Sequence, residues 1–283
     1  MEGSVQGRAL QFQRFTRLNR TLHALLIVSF IALALTGMSL KFSYTSWAAF
    51  LSRRLGGFES AGFIHRAAAV LMFGLFVTHL WDVNRQRKRE HGGSLLKLLL
   101  GPDSMLFNRR DVRDLAGTLR WFVGAGPRPR YGRWTYWEKF DYFAVFWGIF
   151  VIGSTGLMLW FPVLFTRLLP GWLINVATII HSDEALLATG FIFTVHFFNT
   201  HLRPEKFPMD TVVFTGRMPV AEFKRDKPEE YEALVAGGKL QENLVEPYQP
   251  VVIRTIRAFA WTALAIGTLM VLWIVYAMVF AYR

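Results

Sequence analysis

The chain has 283 residues, 53% of them hydrophobic, and a mean hydropathy of +0.29, values of a membrane protein rather than a soluble domain. Its net charge of +12 comes from arginines in loops between apolar runs, where they orient a membrane protein, so no nucleic-acid partner is expected. The absence of cysteine excludes structural disulfides, c-type haem attachment, cysteine-ligated iron–sulfur clusters and thiolate zinc sites.

The N-terminus, "MEGSVQGRALQFQRFTRLNR", is polar and arginine-rich, and no convincing cleavage site follows the first apolar run, which is read as a retained helix. A span needs roughly 20 mostly apolar residues. Five stretches qualify, at about 22–41, 62–82, 140–161, 173–199 and 258–282. The second and fourth each carry two histidines and are the least uniformly apolar; the first, third and fifth are cleaner. Between the second and third, 94–123 is partly amphipathic and is expected at the cytoplasmic interface. Between the fourth and fifth, 217–248 is polar; "DKPEEYEALVAGG" predicts a short surface helix in a solvated loop without chemistry.

Lys and Arg number four in the N-terminal tail, thirteen in 82–139 and nine in 199–257, against three (Lys41, Arg53, Arg54) and one (Arg167) in the alternate loops. The positive-inside rule makes the first group cytoplasmic and the C-terminus external. The expected fold is all-α: an integral membrane helix bundle with a four-helix haem-binding core (1–215), a cytoplasmic loop (216–257) and a fifth C-terminal transmembrane helix (258–283). A weak repeat supports two related helix pairs: "TGMSLKF" (36–42) closes the first span, "TGLMLWF" (155–161) the third, and each precedes a span opening with a histidine.

His65 and His79 are 14 residues apart on the second span, about 21 Å along a helix and about 40° off one face. His181 and His196 are 15 apart on the fourth, about 22 Å and about 60° off one face. Both spans run from outside to inside, which pairs His65 with His181 near the outer surface and His79 with His196 near the inner one. Two imidazole levels about 20 Å apart on facing helices are what two stacked bis-histidine b haems require. Ligands so separated cannot share one zinc or copper ion. His23, at the cytoplasmic end of the first span, is a third inner histidine, so the inner haem takes His196 with His79 or His23. His201 falls about 140° round an α-helix from His196, which puts it on the quinone side or, in the alternative count, on a third haem.

These residues resemble the di-haem cytochrome b subunits of membrane-bound formate dehydrogenases, nickel–iron hydrogenases and thiosulfate reductases, above all the branch associated with multihaem c-type cytochromes. The likeness is carried by "RLNRTLHALLIVSFIALALTG", "FIHRAAAVLMF", "YWEKFDYFAVFWGIFVIGSTGLMLWFP" and "IIHSDEALLATGFIFTVH", and runs from about residue 14 to 215. The resemblance implies that His65 and His181 bind the outer haem and His196 the inner one, with His23 as its usual partner in the formate dehydrogenase branch. It also implies a quinone site near the lead-in to the third span, where Thr135 and Glu138 stand in place of that branch's Asn and Gln. The fifth span is an addition to that branch's four helices.

The expected function is a membrane cytochrome b subunit of a respiratory complex in the prokaryotic inner membrane. It would pass electrons through two b haems between menaquinone or ubiquinone and a periplasmic redox subunit, a multihaem cytochrome c or an iron–sulfur protein. His201, Glu138, Lys206 and Asp210 are candidates for proton exchange with quinone, and Arg66 for a haem propionate. Asp183 and Glu184 are expected to make a polar contact with another subunit, and Gly74 and Gly190 to serve helix packing. The alternative is a non-redox membrane anchor whose histidines only join helices. A transporter is disfavoured because the first four spans have no proline-broken midplane segment.

Overall fold

The computed structural model describes residues 10–90, 92–207 and 209–280. The first nine residues of the expected 1–215 block and the last three of the 258–283 block therefore lie outside the described residues. The elements run β1 (Gln11–Gln13), α1 (Arg17–Lys41), α2 (Ser46–Arg54), α3 (Phe58–Glu90), α4 (Leu95–Leu100), α5 (Arg109–Phe122), α6 (Tyr136–Trp160), α7 (Pro162–Thr166) and α8 (Trp172–Phe191). Two π-helical segments, Ile192–His196 and Phe198–Leu202, follow. The chain then continues through α9 (Val212–Thr215), β2 (Arg217–Pro219), α10 (Val220–Asp226), α11 (Pro228–Ala236), a 3-10 turn (Gln241–Asn243), β3 (Leu244–Val245) and α12 (Pro250–Phe280).

Among the described residues the protein is all-α apart from three very short strands. Five helices among the described residues are long and apolar enough to cross a membrane: Arg17–Lys41, Phe58–Glu90, Tyr136–Trp160, Trp172–Leu202 and Pro250–Phe280. Each predicted span falls on one of them. Most extend further than expected, because helix continues beyond the apolar run wherever capping and polar partners permit. Thus α3 runs eight residues past 82, and α12 starts at Pro250, a residue whose fixed φ suits a first helical turn. Large apolar side chains point outward along these helices, among them Phe63, Phe150 and Leu187, as faces turned to lipid require.

The chain divides into two compact units that cut across the sequence blocks. The first unit comprises Met1–His23, His79–Phe143 and Asp210–Arg257. Its centre is an antiparallel sheet in the order β2-β1-β3, with Phe12 opposite both Met218 and Leu244. Phe12, Val212, Met218 and Phe223 form its core, and the rings of Phe12 and Phe223 stack at 4.0 Å. At Gly216 φ is +70°, and the Gly216 carbonyl accepts the N–H groups of Arg14 and Phe15. A β-carbon at Gly216 would meet the Phe15 carbonyl oxygen at 2.5 Å, so both the conformation and the space require glycine. The expectation of a solvated loop over 217–248 is therefore corrected: the surface helix is present as α11, but this stretch also supplies two strands and the fully buried Phe223.

The second unit comprises Ala24–Thr78, Ala144–Met209 and Ala258–Arg283. It is helical, with a core of Met38, Phe42, Ala48, Phe193, Met270, Ile274 and Ala277. The fifth span is part of this core rather than an appendage to it. A β-carbon at Gly267 on α12 would overlap the Phe193 ring, and Trp273 stacks on Trp47 at 5.3 Å.

Candidate functional site

The repeated "TG" of the sequence finds its structural meaning in the second unit. On α1, the Thr36 hydroxyl donates to the Ala32 carbonyl at 2.6 Å and its oxygen lies 2.9 Å from His65 Nδ1. On α6, the Thr155 hydroxyl donates to the Val151 carbonyl at 2.7 Å and its oxygen lies 3.4 Å from His181 Nδ1. His181 Nδ1 also reaches the Ile152 carbonyl at 2.9 Å, and the Leu33 carbonyl is a partner of His65. Leu33–Thr36 and Ile152–Thr155 are the same three-residue step in the two copies.

A carbonyl can only accept, so Nδ1 of His181 carries its proton and Nε2 presents a lone pair. The same chemistry applies to His65, whose Nδ1 faces a hydroxyl already donating elsewhere. The glycine after each threonine sits against the same ring. A β-carbon at Gly37 would lie 3.3 Å from His65 Cε1, and one at Gly156 2.9 Å from His181 Cε1. The two imidazoles approach one another with ring centroids 6.1 Å apart and planes at 73°. Two imidazoles sharing one metal through bonds of about 2 Å place their centroids roughly 6 Å apart. The separation suits a bis-imidazole metal centre and equally an edge-to-face ring contact, and each Nδ1–H is held by its neighbouring helix, as is general for metal-bound histidines.

The remaining sequence candidates divide. His79, in the first unit, shares a hydrogen bond of 2.8 Å between Nε2 and the Tyr142 hydroxyl, which links α3 to α6. In the same unit His23 lies edge-on to Phe214, with centroids 6.1 Å apart. In the second unit, His196 and His201 flank the Phe197 ring at 6.2 and 5.7 Å.

The fourth span corrects one expectation. Phe197 N–H bonds the Ile192 carbonyl and Arg203 N–H the Phe198 carbonyl, both i→i+5. The wider winding brings His196 and His201 closer to one side than the about 140° that an α-helix would set between them. The wider π winding also takes up part of the extra residue between His181 and His196, bringing that 15-residue step closer to the 14-residue step of His65 and His79. π segments are rare and gather at functional sites. The run "FIFTVHFFNTHL" contains no Gly or Pro to signal one.

Glu138, a sequence candidate for proton exchange, is held by several partners. Thr135 N–H and hydroxyl donate to its Oε2 at 2.7 and 2.8 Å, and Glu138 N–H returns to Thr135 Oγ1 at 3.4 Å. This is a capping box at the start of α6; Arg14 at 3.3 Å and Lys227 complete the carboxylate's partners. Burial pushes the Lys227 ammonium down to about 8, against the pull of Glu138. Asp210 accepts the Val212 N–H at 2.7 Å, and Lys206 is buried. Arg66 is exposed.

Asp183 and Glu184 find partners within the chain. Lys41 Nζ reaches Asp183 at 2.7 Å and Ser182 at 2.8 Å, and Trp147 Nε1 donates to Glu184 at 2.7 Å. At Gly74 and Gly190 a β-carbon would meet nothing within 4 Å, so neither serves close helix packing within the chain. The glycines that matter at the site are Gly37 and Gly156, and the signal for them was the repeat itself. No protein-family model matches the chain, and no curated protein matches it as a relative.

Proposed function

We propose that the chain is a membrane cytochrome b subunit of a respiratory oxidoreductase complex in a prokaryotic inner membrane. In this reading it carries electrons between the quinone pool and a periplasmic redox subunit, a multihaem cytochrome c or an iron–sulfur protein. The observation that supports it best is the His65–His181 pair, two imidazoles 6.1 Å apart whose Nδ1 atoms are turned to helix oxygens by the same repeated motif. His65 and His181 would hold the outer haem. Bound there, haem supplies one-electron transfer at a potential tuned by its ligands and burial.

The chain's own part is to fix both tautomers and to leave room beside each ring at Gly37 and Gly156. The second haem of this reading rests on sequence spacing, with His196 and either His23 or His79. His79 Nε2 shares a hydrogen bond of 2.8 Å with the Tyr142 hydroxyl. The same bond is what the alternative reading, an anchor subunit whose histidines join helices, expects of a histidine.

The test is a reduced-minus-oxidised spectrum with haem quantification on chain purified from a haem-replete host. About two b haems per chain are expected, with loss of one in His181→Ala. A colourless protein overturns the redox reading and leaves the anchor. About three haems per chain would bring His201 in as a ligand.

A further inference from the structure

Helix α5 has three faces, and each has a different occupant. Asp111, Asp114 and Thr118 are buried. Lys139 Nζ, in the first turn of α6, holds Asp111 at 2.9 Å and the Leu106 carbonyl at 3.2 Å. Arg110 reaches Asp114, and Thr118 shares a hydrogen bond of 2.7 Å with Tyr131. This face is bolted to the start of the third span. At about 100° per residue, Val112, Leu115, Leu119 and Phe122 form a second stripe, and all four are exposed, Val112 and Phe122 by 70% and 71%. Arg109, Arg113 and Arg120 fall together on the third sector, beside the apolar stripe, and are exposed. Leu96 and Leu100 on α4 add exposed apolar surface at 70% and 75%.

We propose that α4 and α5 rest on an anionic phospholipid leaflet, apolar stripe in the acyl boundary and the three arginines on headgroup phosphates. The polar face fixes the helix at the level where α6 begins, which is where a membrane surface lies for a helix that crosses. An apolar stripe of this width next to a basic flank is the pattern of interfacial helices, and each basic residue near an anionic surface adds to the attraction. The inference rests on the chain spanning a membrane and is independent of haem.

The chain has no cysteine, so single nitroxide labels report cleanly. In nanodiscs containing phosphatidylglycerol, labels at Val112→Cys and Leu119→Cys are expected to be accessible to oxygen and shielded from an aqueous nickel chelate, with Lys224→Cys the reverse. The full chain with Arg109, Arg113 and Arg120 changed to Gln should hold phosphatidylglycerol about five-fold more weakly per arginine removed, read by native mass spectrometry against phosphatidylcholine. Labels open to the chelate, labels shielded from both probes by a second copy or another subunit, or unchanged lipid retention in the arginine variant would each overturn the proposal. Haem content measured on the same samples separates this result from the redox reading.

Discussion

The two copies of the "TG" motif present the same atoms to a histidine from opposite surroundings. In the first, Met38, Ser39 and Phe42 are buried beneath the helices of the second unit, and Phe42 is 1% exposed. In the second, Leu157 and Met158 are half-buried and Phe161 is 45% exposed. Position six of the motif is Lys41 in one copy, paired with Asp183, and Trp160 in the other, stacked on Phe161 at 5.1 Å. What the copies share is the part that touches the ring: a helix carbonyl, a threonine hydroxyl and a glycine. What differs is the part that meets the environment. The shared part therefore answers to the histidine, and the rest to packing.

The largest expected difference lies in that packing. Phe42→Ala should destabilise the protein by about 3–5 kcal/mol, as large buried aromatics do, whereas Phe161→Ala should cost under about 1 kcal/mol. Unfolding in detergent measures both; equal losses would mean that the copies are buried alike. Next comes the glycine. A β-carbon 2.9 Å from His181 forces the ring to move, while one at 3.3 Å from His65 needs a few tenths of an ångström. Gly156→Ala should cost about 1–3 kcal/mol by overpacking and release the outer haem of the proposed reading. Gly37→Ala should keep more of that haem, and the opposite ranking would break the comparison.

Much of the second unit was legible because membrane spans announce themselves as long apolar runs. The repeat was legible too, but its purpose was not, since the bonds from Thr36 and Thr155 exist only once helices are packed. The π segments were invisible, because residues 192–202 carry no residue that distinguishes an i→i+5 from an i→i+4 ladder. The first unit was the least readable. Its strands are three residues or fewer, and Gln13 bonds the Gly216 carbonyl 203 positions away, beyond any local pattern. "TYWE" did carry a capping-box signature, and Glu138 fulfils it.

The threonines separate the copies more finely. His65 has the Thr36 hydroxyl at 2.9 Å, whereas His181 has the Ile152 carbonyl at 2.9 Å and the Thr155 hydroxyl only at 3.4 Å. Thr36→Val keeps the shape and removes the oxygen. It should weaken haem retention about tenfold, at the low end for groups that orient a metal ligand, and shift the outer haem's midpoint potential. Thr155→Val should do less of both, because the nearest partner of His181 Nδ1, the Ile152 carbonyl, remains, whereas Thr36 is itself the nearest partner of His65 Nδ1. Redox titration of the two variants decides it, and a larger shift in Thr155→Val would reverse the assignment of which partner matters.

The smallest effect should come from Lys41. Its ammonium lies 2.7 Å from Asp183, but the two side chains are 23% and 63% exposed, and ion pairs of that exposure contribute about 0–1 kcal/mol. Asp183 is two residues beyond His181, so a structural role in positioning the ring would have to pass through this bond. The His181 ring, however, is already held by α6 through Ile152. Lys41→Met should therefore lower the unfolding midpoint slightly, by an amount that salt also removes from the parent, and leave haem content and potential unchanged. Lys41→Trp, which writes the second copy's residue into the first, should behave the same way. A loss of haem in either variant would mean that the two copies differ in how they hold their histidines, and not merely in what surrounds them.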